Sequence, residues 1–223
     1  MNKIDDARRI TVSSILKEAS HSLTHVEEGL RKTIIALAIT PGKMMTSYLE
    51  GDRKSYQKPF SFLLIVTSVY AVMIYFFHQY YLIPTATTFE DKLFNRVVIL
   101  ESKYYSWLQI ALLPVYALVP YLIFKKAKYN YAEWIVVCCY LLSFVLILQI
   151  PFYILDSFLH LNKQIHQVIQ LLITELYMFY ALNAFLKQRI NWRRYIYILI
   201  GIVINFFILV YTFRGIAYLL TIV

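Results

Sequence analysis

The chain has 223 residues, of which 60% are hydrophobic, and this composition leaves too little polar surface to cover a soluble globular protein. Its 22 Lys and Arg outnumber its 13 Asp and Glu, so the formal net charge is +9. In a soluble protein this charge would favour nucleic acid as a partner, but beside long apolar stretches it indicates anionic lipid headgroups instead. No nucleic-acid binding is expected.

Residues 1–59 are predicted to form a cytoplasmic module of short amphipathic helices. Apolar residues recur at helical spacing within residues 10–32, and charged residues gather on the opposite face. Thr40-Pro41-Gly42 predicts a break, with Thr40 as the cap of a second helix over residues 41–50. Because charges interrupt both helices, we expect them to lie on the membrane surface or to pack under the bundle. The second helix would present four side chains to an apolar phase: Met44, Met45, Tyr48 and Leu49.

A basic run before the first long apolar stretch is a candidate lipid-binding site. Arg53, Lys54 and Lys58 would contact lipid phosphates, while Tyr48 and Tyr56 would lie among the headgroups. Each basic residue near an anionic membrane surface contributes about 1 kcal/mol of attraction. The run therefore predicts binding of anionic lipid.

His21, His25 and Glu28 share the polar face of the first helix and form a candidate metal site. At this spacing two imidazoles and a carboxylate can reach one divalent ion. The zinc-protease motif requires Glu directly after the first His, and Ser22 occupies that position here. A solvated or headgroup-facing polar face that binds no metal is the favoured interpretation, with metal binding as the alternative, and no cofactor is predicted.

Several short motifs lie between residues 9 and 70: Arg9-Ile10-Thr11-Val12, His21 to His25, Gly29 to Thr33, Pro41-Gly42-Lys43, Tyr48 to Lys54 and Tyr56 to Leu63. Together they resemble the bacterial family catalogued as domain of unknown function 3667. The resemblance implies a bacterial inner-membrane location and carries no established activity. Members often have a four-cysteine zinc ribbon before this region; this sequence has none, so no zinc role is carried over.

Five apolar stretches reach or approach the ~20 residues that a helix needs to cross a hydrocarbon core. They cover residues 60–77, 107–124, 132–155, 167–186 and 195–213. Residues 60–223 are therefore predicted to form an all-α, polytopic membrane bundle with five transmembrane helices. Thr88 to Asp91 can cap a helix that precedes the second span and continues into it.

Lys and Arg are concentrated in alternate gaps between these stretches. Ten lie in residues 1–59, three in residues 125–131 and four in residues 187–194, which together make 17 of the 22. Cytoplasmic loops carry such an excess, so the N-terminus is expected in the cytoplasm and the C-terminus outside.

Glu175 lies near the middle of the fourth span, where a carboxylate costs about 2.5–3.5 kcal/mol on insertion scales. Asn205 lies at a matching depth in the fifth span and is its natural partner. A structural hydrogen bond between the two helices is the favoured interpretation, and a proton- or substrate-binding site is the alternative.

Two other residue types carry weaker predictions. His160 and His166 are placed in the second external loop, where they could respond to external pH. Cys138 and Cys139 are adjacent in the third span and are expected to pack as small apolar residues, because neighbours on a helix cannot form an unstrained disulfide.

The favoured function is a non-enzymatic membrane scaffold that binds lipid or a partner protein in the bacterial inner membrane. The first alternative is a small-molecule or proton-coupled transporter centred on Glu175 and Asn205. The second is a membrane enzyme that uses His21, His25 and Glu28. Expected partners are anionic lipid headgroups, together with a second copy of the chain or another membrane protein.

Overall fold

The computed structural model describes residues 28–77, 87–159, 163–187, 192 and 194–222. These residues are predominantly helical and include no β-strand. The helices are α1 (28–39), α2 (Pro41–Leu49), α3 (Pro59–Phe77), α4 (Phe89–Ile123), α5 (Tyr131–Leu159), α6 (Lys163–Leu186) and α7 (Arg194–Ile222), with a short 3-10 turn at Lys125–Ala127.

Four helical segments are long and apolar enough to cross a membrane, namely Pro59–Phe76, Tyr131–Leu159, Val168–Leu186 and Arg194–Thr212. The remaining predicted span lies in α4, whose apolar part, Trp107–Ile123, is near the lower limit of about 17 residues for a crossing. The all-α membrane bundle is thus confirmed, with four to five helices able to span by length and composition.

The helix α4 is 35 residues long and includes the segment predicted to precede the second span. It begins with the expected capping box, in which Thr88 accepts from the Asp91 backbone N–H at 3.1 Å. Leu93 and Leu100 are buried and pack with Ile216 of α7. This contact accounts for α7 continuing nine residues past the predicted end of its span.

The helix α5 is the centre of the bundle. It packs against α2, α3, α4 and α6. Within its candidate span 61% of the residues are buried in protein, against 18–33% in the other three spans. Most apolar residues of α5 before Pro151 therefore face neighbouring helices, whereas Leu155 and Phe158 near its end are exposed and the other helices keep a wider face for lipid.

Aromatic side chains hold one end of the bundle together. Phe124 stacks on Trp134 with ring centroids 5.5 Å apart, and Tyr129 stacks on Phe185 at 4.8 Å. Phe124 also meets the edge of Tyr197 at 6.5 Å. The 3-10 turn, the end of α6 and the start of α7 therefore lie together at this end.

The helices α1 and α2 pack into the bundle. Leu37, Met44 and Met45 are fully buried in its core. At the end of α1, the Leu37 and Ile39 carbonyls accept hydrogen bonds from two tyrosines of α6, Tyr177 at 3.2 Å and Tyr180 at 2.8 Å. These bonds satisfy carbonyls that a helix end leaves without an internal partner.

The predicted break at residue 40 is present, but the predicted cap is wrong. Pro41 is the first residue of α2, as expected, yet Thr40 makes no side-chain capping bond. Its hydroxyl is directed back towards the Ala36 carbonyl of α1, at 3.5 Å. The Ala36 carbonyl, which also accepts from the Thr40 backbone N–H at 2.8 Å, thus competes with α2 for this hydroxyl.

The contact between α2 and α6 depends on Gly42. A Cβ atom at this position would lie 2.4 Å from the backbone carbonyl carbon and oxygen of Ala184. Backbone atoms cannot move aside as a flexible side chain can, so only glycine allows this approach.

We therefore expect Gly42→Ala to lower the free energy of unfolding by about 2 kcal/mol or more, because it overpacks a rigid contact. Thermal unfolding of the purified protein, followed by size-exclusion recovery, measures this effect. Gly201→Ala is the matched control, because its Cβ would lie 3.6 Å from Ile123 Cδ1, an ordinary contact. Equal melting temperatures for the two variants would contradict the close approach.

Candidate functional site

A cavity of about 230 Å³ lies within the bundle, lined by residues of all five helices from α3 to α7. Its walls are mainly apolar, with Leu141, Leu146 and Met178 among them. Polar residues are inserted between these side chains, namely Gln109, Tyr116, Gln149, Gln170, Thr174, Glu175 and Asn205. The cavity therefore combines an apolar wall with several groups able to fix a ligand's orientation.

Glu175 and Asn205 both line this cavity, so the two residues border the same space. The favoured hydrogen bond between them is wrong: none joins these two described residues. Contacts between α6 and α7 lie nearer their connection, where Arg194 Nε donates to Asn183 Oδ1 at 2.7 Å and Phe179 stacks on Tyr195. Further from this connection, Glu175 of α6 and Asn205 of α7 border the cavity.

Three polar atoms at the cavity have no hydrogen-bond partner among the described residues: Gln109 Oε1, Tyr116 Oη and Asn205 Oδ1. Gln109 is 3% exposed and Tyr116 is 5% exposed. A buried polar group left unpaired costs about 1–3 kcal/mol, so three around one space call for a physical explanation. Sequence reasoning identified Asn205 but missed Gln109 and Tyr116, because uncharged polar residues are common in membrane helices.

Other polar residues beside the cavity are paired with one another. The Tyr70 hydroxyl donates to Gln149 Oε1 at 2.7 Å, and Gln149 Nε2 donates to Thr174 Oγ1 at 2.9 Å. Gln170 Nε2 donates to the Tyr153 hydroxyl at 3.2 Å. This polar network connects α3, α5 and α6. It does not include the unpaired oxygens of Gln109 and Tyr116 in α4 and of Asn205 in α7.

A buried acid–histidine pair lies towards the connection between α5 and α6. His166 Nδ1 and Asp156 Oδ2 are 2.7 Å apart, and both side chains are buried. The prediction of a loop position for His166 is wrong, since this residue lies in the first turn of α6. His160 lies outside the described residues.

The structure separates the predicted lipid-binding residues into two environments. Arg53, Lys54 and Lys58 are exposed in the segment between α2 and α3. Tyr56 is half-buried, with Lys32 Nζ 5.3 Å from its ring centroid. Tyr48 is buried against the ring of Tyr140 at 5.4 Å, so it lies inside the protein and not at a headgroup position.

The predicted metal site lies mostly outside the described residues. Residues 21 and 25 are not among them, and Glu28 is exposed at the first described position of α1. Within the described ranges, no three His, Cys, Asp or Glu side chains form a group able to hold a metal ion. The hypothesis of an enzyme at His21, His25 and Glu28 stays a prediction.

Hydrogen bonds attach α1 to the segment that leads into α3. Thr33 Oγ1 accepts from the Gln57 backbone N–H at 2.8 Å and donates to the Gly29 carbonyl at 2.7 Å. The Gln57 carbonyl in turn accepts from the Tyr140 hydroxyl of α5 at 2.7 Å. Residues from two of the motifs noted above thus meet in space and connect to the central helix.

Comparison with known families agrees with this arrangement. The family model described as "Protein of unknown function (DUF3667)" matches residues 27–71. The expected family resemblance is therefore confirmed for a segment that contains α1, α2 and most of α3. No curated protein and no solved structure is significantly similar to the chain.

The Asp156–His166 pair should couple α5 to α6. Replacing one member leaves the other buried beside a mismatched partner, so Asp156→Asn is expected to cost on the order of 3 kcal/mol in unfolding free energy. Because the two groups interact directly, the double variant with His166→Gln should cost less than the sum of the single changes. Equilibrium unfolding in detergent measures the cycle, with Ser157→Ala as the control. Additive effects would contradict the coupling.

Proposed function

We propose that this protein is a multi-pass protein of the bacterial cytoplasmic membrane that binds a small molecule within its bundle, as a transporter does. The concentration of Lys and Arg in residues 1–59 and two later gaps supports a cytoplasmic N-terminus. The apolar helices support a membrane location. The cavity around Glu175 and Asn205 supports the binding function.

The observation that carries this proposal is the gathering of unpaired polar groups around one space. In a bundle with only a structural role, such groups would be paired with each other or would be apolar residues instead, because an unpaired polar group in hydrocarbon is costly. Here Gln109, Tyr116 and Asn205, each with one unpaired oxygen among the described residues, line a single open volume together with Glu175, although these oxygens themselves have almost no accessible surface. A bound molecule that supplies hydrogen bonds would offset this cost once these side chains turn their oxygens towards it.

The size of the cavity limits the ligand. Pockets for drug-sized molecules usually have volumes of about 300–1,000 Å³. A cavity of about 230 Å³ is smaller, and it is far larger than the ~30 Å³ that one water occupies in the liquid. The ligand is therefore a small molecule that is larger than a single water and smaller than a phospholipid.

The two cysteines provide a test of this cavity that requires no knowledge of the ligand. Cys138 lines the cavity, whereas its neighbour Cys139 is buried outside it. In nanodiscs, methylmercury should modify Cys138 in the Cys139→Ala variant at least about tenfold faster than Cys139 in the Cys138→Ala variant, because thiol modification follows access. Mass spectrometry of the intact protein measures both rates.

A change that fills the cavity supplies the control. Met178→Trp should slow modification of Cys138 and leave that of Cys139 unchanged, since Met178 lines the same cavity as Cys138. Unfolding in denaturant should make both thiols react equally. Equal rates in the folded protein would contradict the accessible cavity and, with it, the proposed function.

Lipid binding at the basic run is a second candidate function. Arg53, Lys54 and Lys58 are all exposed within a short segment next to the first span. Exposed cations at this position are available to phosphate groups, in contrast to the buried Tyr48. This function is compatible with a ligand in the cavity, because the two sites share no residue.

We expect the double variant Arg53→Glu and Lys54→Glu to bind phosphatidylglycerol about tenfold or more weakly, since each basic residue contributes about 1 kcal/mol. Native mass spectrometry of the protein titrated with this lipid measures the loss. Lys92→Glu with Lys103→Glu makes the same change in charge at exposed positions of α4. A similar loss in both double variants would point to net charge alone and refute a specific site.

A further inference from the structure

The charge of the cavity lining selects among small molecules. Glu175 is the one formally charged side chain among the described residues that line it, and no Lys, Arg or His is present there. Glu175 offers carboxylate oxygens as acceptors. Asn205 Oδ1 and Gln109 Oε1 have almost no accessible surface and add further acceptors when their side chains turn towards the cavity. A ligand with a positive charge and several N–H donors would complement this set, whereas an anion would be repelled by Glu175.

The exposure of the lining residues shows where the cavity opens. Those from α4 and α5 are mostly buried, as Gln109 and Val145 illustrate. On α6 and α7 the lining residues retain surface: Leu171 is 36% exposed, and Glu175 and Asn205 are half-buried. The cavity is therefore most open on the side where α6 and α7 border it.

This open side lies within the membrane-spanning parts of the two helices. Glu175 belongs to the span Val168–Leu186, and Asn205 belongs to the span Arg194–Thr212. Each is at least seven residues, or about 10 Å along the helix axis, from either end of its span. An opening at this depth faces hydrocarbon chains, so a molecule that reaches it through the bilayer must have an apolar body.

We propose that the cavity binds a small amphiphilic organic cation, with an ammonium group at Glu175 and an apolar body against α5, which reaches the site from the bilayer between α6 and α7. This inference rests on the proposed function and specifies its ligand class. Tyr116 and Phe206 add aromatic surface to the lining, which favours a cation and an apolar ring alike.

Three probes separate charge from apolar character. They are 2-phenylethylammonium, its neutral isostere 2-phenylethanol, and methylammonium, which has the charge without the apolar body. Isothermal titration calorimetry with the full chain in nanodiscs, corrected against empty nanodiscs, gives each affinity. We expect 2-phenylethylammonium to bind at least about tenfold more tightly than either other probe, because each of them lacks one half of the interaction.

Two variants assign the charge selectivity to named residues. Glu175→Gln keeps the shape of the side chain, so it should weaken 2-phenylethylammonium binding at least about tenfold while 2-phenylethanol binding stays the same. The unchanged binding of the alcohol also shows that this variant is folded. Asn205→Asp adds a second carboxylate at the cavity and should strengthen cation binding.

The outcomes distinguish this inference from the proposed function. Equal affinities for the cation and the alcohol would overturn the cation class and leave a small-molecule site in place. If no probe binds while Cys138 reacts, the ligand class is wrong and the cavity stands. If no probe binds and Cys138 is also inert, both the inference and the proposed function fail.

Discussion

The structure depends on one constraint of the hydrocarbon phase, which offers no hydrogen bonds to a polar group. Polar side chains within the spans must therefore find partners inside the protein. On one side of α5 they do, through the chain from Tyr70 to Gln149 to Thr174. On the side towards α4 and α7, the oxygens Gln109 Oε1, Tyr116 Oη and Asn205 Oδ1 find no partner among the described residues. The distribution of satisfied groups divides the bundle into a closed polar network and an open cavity.

Helix packing connects the two sides of the cavity. The strongest contacts join α3 to α5 and α4 to α7, and α2 packs chiefly on α6. The bonds of Thr33, Gln57 and Tyr140 attach the N-terminal helices to the group formed by α3, α5 and α6. The segment that matches the family model thus braces this group, and the cavity lies where the group meets the α4–α7 pair. Because α4 also packs against α3 and α5, the cavity lies inside one continuous bundle.

Hydropathy predicted the spans because the membrane thickness fixes helix length, and local rules predicted the Thr88 cap and the start of α2 at Pro41. The surroundings of the N-terminal helices were harder to predict, because a helical pattern shows which face is apolar and does not show whether lipid or protein covers that face. Tyr48 was misplaced for this reason. Glu175 was identified from its cost in a membrane, whereas Gln109 and Tyr116 carry no such signal and are significant only through tertiary placement. The pairing of Asp156 with His166 also depends on how α5 and α6 align.

The position of the opening affects how much affinity the site itself must provide. An amphiphile concentrates in the bilayer, and each tenfold enrichment contributes about 1.4 kcal/mol to its apparent affinity. A cavity of about 230 Å³ offers a ligand few contacts, so its size allows only a modest intrinsic affinity. Access from the bilayer compensates for this limit, and the mid-span carboxylate then supplies selectivity. The same Glu175 that is costly to insert becomes useful because the described lining residues include no basic partner for it.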